Sequence, residues 1–284
     1  MTGFCIVLKK AVMCEMDKMH EKLGRLKSLI EGYGGVAVAF SGGVDSTFLL
    51  KVAHDVLGGK CIAVTVHSRL FPKRELDEAA AFCLKEGVRQ LAVEVDGLLI
   101  DGIADNPPER CYICKRGLFG SMLNAAAAEG MAVVCEGSNT DDLGDYRPGL
   151  RAIAELGIQS PLRECGLSKC EIRSLSAELG LPTADKPSFA CLASRIPYGE
   201  NITLEKLGMI ERAEDFLRDR GFRQVRVRVH GSAARIETEP DSFALAMEMR
   251  GRIVEALKGF GFSHVALDLQ GYRTGSMNEP ILRK

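Results

Sequence analysis

Val36-Ala37-Val38-Ala39-Phe40-Ser41-Gly42-Gly43-Val44-Asp45-Ser46 is followed by Thr47-Phe48-Leu49-Leu50-Lys51-Val52-Ala53. A short apolar run ending at glycines suits a buried strand, and the residues beyond the glycines suit a helix. Strand, glycine turn and helix start together make an anion cradle. The glycines let the backbone approach an anion closely, and the helix N-terminus supplies N–H groups and partial positive charge. Ser41 and Ser46 add hydroxyl donors. The Walker A pattern places a Lys directly before its Ser or Thr, to reach the outer phosphates; here Asp45 stands in that place. An acidic side chain beside phosphates makes chemical sense if it holds magnesium. A lone glycine turn is as often structural. With both serines, the Asp and the strand–helix context, Ser41, Gly42, Gly43, Asp45 and Ser46 point to the phosphates of a nucleotide.

Outward from this stretch, strand and helix patterns alternate. A helix is predicted over 14–31, a strand at 36–40, a helix at 45–57 and a strand at 61–66. A helix at 73–86, a strand at 90–95, a helix over 112–129 and a strand at 131–135 follow. A helix at 168–179 is stopped by Gly180 and Pro182. Such alternation predicts a doubly wound, Rossmann-like parallel sheet in an α/β domain. Ligands then bind beyond the carboxyl ends of the strands. Loop 41–46, Thr65–Arg69 and Glu136–Gly149 are therefore expected to converge. Residues 186–202, in a stretch with little periodicity, read as a functional linker carrying Cys191. Beyond it, a helix over 203–219, strands at 224–230 and 233–239, a helix over 241–258 and a strand at 264–269 predict a smaller α+β domain. The expected division is 1–185, 186–202 and 203–284.

The chain has 284 residues, enough for two cores. Its 37 basic residues balance 38 acidic ones, so overall charge favours neither nucleic acid nor a membrane surface. No apolar run approaches a membrane span, and Phe4-Cys5-Ile6-Val7-Leu8 is too short for a signal-peptide core. A cytoplasmic protein is expected, in which ten cysteines are not a disulfide framework. Cys5, Cys14, Cys61, Cys83, Cys135, Cys165 and Cys170 sit in periodic or strand contexts and read as packing residues.

Three other cysteines differ. Cys111-Tyr112-Ile113-Cys114 spaces two thiols at C-x-x-C at a helix start, a position expected to favour thiolates. Cys191 lies in Ser188-Phe189-Ala190-Cys191-Leu192-Ala193-Ser194-Arg195. Three thiolates without a fourth suit a 4Fe–4S cluster with one open iron, whereas a structural zinc site wants four ligands. The plain alternative is a helical coincidence and an ordinary loop thiol.

Val225-Arg226-Val227-Arg228-Val229-His230 alternates strictly, placing its valines on one face and Arg226, Arg228 and His230 on the other. With Gly231-Ser232 as a two-residue hairpin loop, Arg228 pairs with Arg235 and Arg226 with Glu237. Clustered guanidiniums suit a bidentate phosphate; a solvated polar face is the alternative.

Taken together these stretches resemble known enzymes. Ser41–Ser46 is similar to the PP-loop of ATP pyrophosphatases, which split ATP into AMP and pyrophosphate. Further stretches resemble the LarE family, ATP-dependent sulfur transferases that build a nickel-pincer nucleotide for lactate racemase. These are Pro107–Lys115, Gly137-Ser138-Asn139-Thr140-Asp141-Asp142-Leu143-Gly144-Asp145-Tyr146-Arg147-Pro148-Gly149, Pro187–Arg195 and Arg226–Gly231. The resemblance implies a pyridinium dicarboxylate mononucleotide whose carboxylates are adenylated and become thiocarboxylates. It implies ATP and Mg2+ as cofactors and the substrate phosphate on Arg226 and Arg228. Asp45 is the metal candidate, with Asp141 or Asp142 as helpers or helix caps. Glu237 is a second metal candidate or a partner of Arg226. Cys191 matches the sulfur-supplying position. One form of the family sacrifices that cysteine's own sulfur; the three-cysteine form holds a 4Fe–4S cluster, and Cys111 and Cys114 favour it here. A homo-oligomer and an external sulfur donor, sulfide or a desulfurase, are also implied. Rival expectations are a tRNA thiolase with the same loop, and a non-catalytic nucleotide or iron–sulfur sensor.

Overall fold

The computed structural model describes residues 2–144, 148–273 and 275–278, with side chains over 16–142, 148–273 and 275–277. Helix α1 (Thr2–Tyr33) precedes β1 (Val36–Ala39), α2 (Val44–Leu57), β2 (Cys61–His67), α3 (Lys73–Glu86) and β3 (Arg89–Glu94). Then come α4 (Arg110–Ala128), β4 (Val134–Cys135), α5 (Gly149–Glu155), α6 (Pro161–Glu164) and α7 (Lys169–Glu178). The remainder holds α8 (Leu204–Arg218), β5 (Val225–His230), β6 (Ala233–Thr238), α9 (Phe243–Glu248), α10 (Arg250–Gly259) and β7 (His264–Leu267).

Two compact units result. The first comprises Met1–His67, Arg74–Glu94 and Leu118–Ser188. Its strands run parallel in the order β3-β2-β1-β4, flanked by helices, the α/β architecture that the alternation predicts. Central β1 is buried along its whole length and β2 all but its last residue, whereas edge strand β3 is only partly covered. That is why the first two read as continuous apolar runs. Leu26, Ile30, Val38, Phe40, Phe48 and Leu49 centre the core. Helix α7 begins at a capping box between Ser168 and Glu171 and is followed by Gly180 at φ 66°.

The second unit comprises Ser68–Lys73, Val95–Gly117 and Phe189–Lys284. Its sheet has the order β5-β6-β7, with β5 antiparallel and β7 parallel to β6. The hairpin register is the expected one: His230 opposite Ala233, Arg228 opposite Arg235 and Arg226 opposite Glu237. The valines of β5 face a core with Ile210, Leu217, Phe222 and Ile236. The predicted helix at 241–258 is two helices that meet at Met249.

The units divide the chain differently from the expected 1–185 and 203–284. Leu70 and Ile103 are buried in the core of the second unit, and the Leu192 N–H donates to the Leu70 carbonyl at 2.8 Å. These contacts draw two early segments, one of them bearing Cys111 and Cys114, into the C-terminal unit. Asp145, Tyr146 and Arg147 of the 137–149 run, and the side chains of Cys5 and Cys14, lie outside the described residues. Among those described, no helix is long and apolar enough to cross a membrane. Cys61, Cys83, Cys135 and Cys165 are buried as expected, but Cys170 is exposed, at the second position of α7.

Candidate functional site

In the first unit, β1 delivers the chain into the glycine turn, and α2 starts at Val44 with Gly43 extended before it. No side chain caps that start, so a ligand can take the first N–H groups. Gly42 sits at φ 71°, and a Cβ there would lie 3.2 Å from the Ala79 Cβ, so only glycine suits both turn and packing. The serines brace the loop: their hydroxyls are 3.1 Å apart, and Ser46 Oγ donates to the Gly43 carbonyl at 3.2 Å.

Asp45 is held from two sides. Asn139 Nδ2 donates to its Oδ1 at 3.2 Å, and Lys169 Nζ pairs with its Oδ2 at 2.5 Å. The loop after β4 therefore joins the loop after β1, as expected. A Cβ on Gly137 would stand 3.0 Å from the Ser46 nitrogen, so this approach requires glycine there. Asp141 and Asp142 act as caps: Asp142 accepts the Asn139 N–H at 2.9 Å and Asp141 the Lys169 N–H at 3.3 Å. Ser68 and Arg69, expected at the same place, belong to the second unit. Sequence reasoning missed Lys169 and Lys186. The Lys186 ammonium donates to the Gly42 carbonyl at 3.0 Å and pairs with Glu75 at 2.7 Å. Neither lysine lies in a pattern that betrays a partner more than a hundred residues away.

In the second unit Cys111, Cys114 and Cys191 are all partly exposed. The expected lowering of the C-x-x-C thiols is overturned. Burial, then the neighbouring Cys191 sulfur, push Cys111 up despite Arg110 and Lys115. Burial, Cys191 and Cys111 push Cys114 up to about 12. Desolvation and mutual repulsion outweigh the helix start and the two cations. The three sulfurs thus lie within electrostatic range of one another, and in kind and number they fit a three-thiolate metal group. Among the described residues no group of three or more His, Cys, Asp or Glu side chains is already disposed to hold a metal, so binding would require the sulfurs to converge.

The Cys191 turn is anchored from below. Fully buried Arg195 donates to the Cys191 carbonyl at 2.9 Å and pairs bidentately with Glu214 at 2.8 and 2.9 Å. Burial alone would raise the Glu214 carboxyl, but Arg195, with Arg218 and Arg226, holds it down to about 2.

The arginine face of the hairpin is not solvated: Arg226 and Arg228 are 4% and 6% exposed. Arg228 pairs with Glu237 at 2.8 Å and donates to the Ser194 carbonyl at 3.0 Å. Arg235 takes the other Glu237 oxygen at 2.8 Å. The expected Arg226–Glu237 pairing is thus corrected. Although the two residues are opposite in register, the carboxylate leans diagonally to the flanking guanidiniums and commits both oxygens to them. The Arg226 guanidinium lies 5.5 Å from the Phe189 ring centre and 5.2 Å from that of Tyr272. Burial, then Arg195, lower Arg226 to about 10. An enclosed, mutually repelling set of guanidiniums is a place where an anion is welcome.

No protein-family model matches the chain. It is 36% identical over 269 residues to the pyridinium-3,5-bisthiocarboxylic acid mononucleotide synthase of Lactiplantibacillus plantarum, covering 94% of this chain and 98% of that one. The chain belongs to the LarE family. It is also 41% identical to "uncharacterized protein slr1717" of Synechocystis, over 93% of this chain and all of the relative. A glutamine-hydrolyzing GMP synthase from Thermoplasma volcanium is 30% identical over 65% of this chain and 63% of its own length. That more distant match ends short of full length, whereas the LarE-family matches span both units. Membership in the LarE family places the chain among enzymes.

Proposed function

We propose that the protein is an ATP-dependent sulfur transferase that converts the carboxylates of a pyridinium dicarboxylate mononucleotide to thiocarboxylates. The observation that carries this is the match over 98% of a synthase of the corresponding bisthiocarboxylic acid. The two units supply chemistry that fits it. A carboxylate is a poor acyl donor, so one of its oxygens attacks the α-phosphorus of ATP, and the α–β phosphoanhydride bond breaks to release pyrophosphate. The N–H groups at Gly43–Val44 and the Ser41 and Ser46 hydroxyls bind the departing pyrophosphate. Asp45, after exchanging Lys169 for Mg2+, holds the metal that screens its charge. Sulfur then adds to the acyl carbon, and AMP leaves with the former carboxylate oxygen. Arg226 and Arg228 hold the substrate's own phosphate. Glu237 serves that arginine network, since a metal there would have to displace two guanidiniums.

For sulfur, Cys111, Cys114 and Cys191 are assigned to a 4Fe–4S cluster that, when bound, supplies transferable sulfide. With the cluster, Cys191 is regenerated after each turnover and an external sulfide source or desulfurase is the partner. Anaerobically purified protein is expected to be brown, and the Cys111→Ala variant colourless. A colourless, iron-free wild type that loses the mass of one hydrogen sulfide in turnover would establish sacrifice of Cys191 instead. The substrate assignment is tested separately. The pyridinium nucleotide, and not tRNA, is expected to stimulate pyrophosphate release; stimulation by tRNA alone would reject it.

A further inference from the structure

One buried polar cluster in the second unit is used by none of the chemistry above. Asn106 is fully buried and is a non-glycine residue held at φ 53°, in the left-handed region. Its side-chain nitrogen donates to the carbonyls of Ile196, Pro197 and Glu200 at 3.2, 2.7 and 3.1 Å. Its backbone carbonyl accepts the Gly199 N–H at 2.9 Å. Its side-chain oxygen accepts from the Arg110 guanidinium. Arg110, 5% exposed, also donates to the Ala193 carbonyl at 3.0 Å and covers the Tyr198 ring at 5.0 Å.

The sequence positions of these contacts matter. Arg110 directly precedes Cys111 and occupies the first position of α4. Ala193 lies two residues beyond Cys191, and residues 196–200 continue the same turn. Asn106 and Arg110 therefore tie together the two segments that carry the three thiols, across more than eighty residues of chain. An amide with two protons shared among three carbonyls, in an unfavourable backbone conformation, is a costly way to close a loop. It is understandable where the relative placement of the two segments matters. Arg110 brings one thing more: its guanidinium hydrogen-bonds the Cys111 sulfur and opposes the rise of that thiol.

We infer that Asn106 and Arg110 are positioning residues that lock the Cys111–Cys114 segment to the Cys191 turn, so that the three thiols are presented as one ligand set. The inference rests on the three-thiol assignment above. It concerns ligand placement, so its readout is thiol coordination and not turnover. Reduced, cluster-free protein is titrated with cadmium ion, following the ultraviolet thiolate-to-cadmium charge-transfer absorption. The part due to the three thiols is that lost in Cys191→Ser. Asn106→Gly keeps the backbone conformation accessible while removing the amide; Arg110→Lys keeps the charge but not the fork. Both are expected to bind cadmium roughly 10- to 100-fold more weakly than wild type, with unchanged far-ultraviolet circular dichroism. If both bind as tightly as wild type, the positioning role is wrong while the three-thiol assignment stands. Should Arg110→Lys match wild type while Arg110→Gln does not, charge rather than placement is at work, and the inference is again overturned. If wild type shows no Cys191-dependent band, the three-thiol assignment itself fails. Where Asn106→Gly does not fold, the Arg110 pair decides alone.

Discussion

At the scale of single residues, the phosphate loop is built by what cannot be added to it. Gly137 lets the loop after β4 lie against Ser46 and Asp45, and a methyl group there would meet the Ser46 nitrogen at 3.0 Å. Gly137→Ala is expected to cost about 1–3 kcal/mol in urea unfolding and to weaken ATP-dependent pyrophosphate release together with it. Asp45→Asn separates function from fold. Its ion pair with Lys169 is partly exposed and contributes little to stability, whereas loss of the metal ligand should lower pyrophosphate release by at least about 100-fold. An unchanged rate in that variant would remove Asp45 from the metal site. The loop was legible in the sequence because all of its chemistry lies within six residues. Lys169 and Lys186 were not, because each is an ordinary helix-start or loop lysine until the chain folds.

At the scale of elements, the β5–β6 hairpin shows where pattern reading stops. Strict alternation and Gly231-Ser232 determine its register, since a one-residue slip would turn every valine outward. Alternation also leads one to expect a wet face, and this face is covered: Arg228 reaches the Ser194 carbonyl and Phe189 lies over Arg226. Period-two patterning reports which residues share a side, not what covers that side. Glu237→Gln should therefore cost about 3–5 kcal/mol in chemical denaturation, because it leaves buried guanidiniums uncompensated. A loss below about 1 kcal/mol would show the network to be solvent-screened. The Arg195–Glu214 pair beneath Cys191 gives a pH dependence of definite sign. The Glu214 carboxyl is depressed from 4.5 to about 2 in the folded protein. Its stabilisation, roughly 3 kcal/mol, is thus complete above pH ~4.5 and is lost as pH falls toward 2. Acid unfolding midpoints of wild type and Glu214→Gln, compared across that window, check this: the difference between them should shrink with acidification.

At the scale of the whole molecule, fold class followed from the alternation of elements, but the division into units did not. Ser68–Lys73 and Val95–Gly117 lie between strands and helices of the first unit in sequence, yet their apolar residues complete the core of the second. No local signal announces such a crossing. Its consequence is chemical: all three thiols and the arginine face belong to one unit, and the phosphate loop to the other. Near-balanced charge gives no basic surface of the kind RNA needs, so tRNA is expected to leave pyrophosphate release at its basal level. The proposed activity turns on ATP activating a carboxylate for replacement of its oxygen by sulfur. It is tested most sharply by mass spectrometry of the AMP formed from Mg-ATP, sulfide and the pyridinium dicarboxylate mononucleotide carrying heavy oxygen in its carboxylates. One heavy oxygen in AMP, unlabelled pyrophosphate and a product heavier by the exchange of sulfur for oxygen are expected. Unlabelled AMP accompanying the thiocarboxylate, or ADP in its place, would contradict carboxylate adenylation.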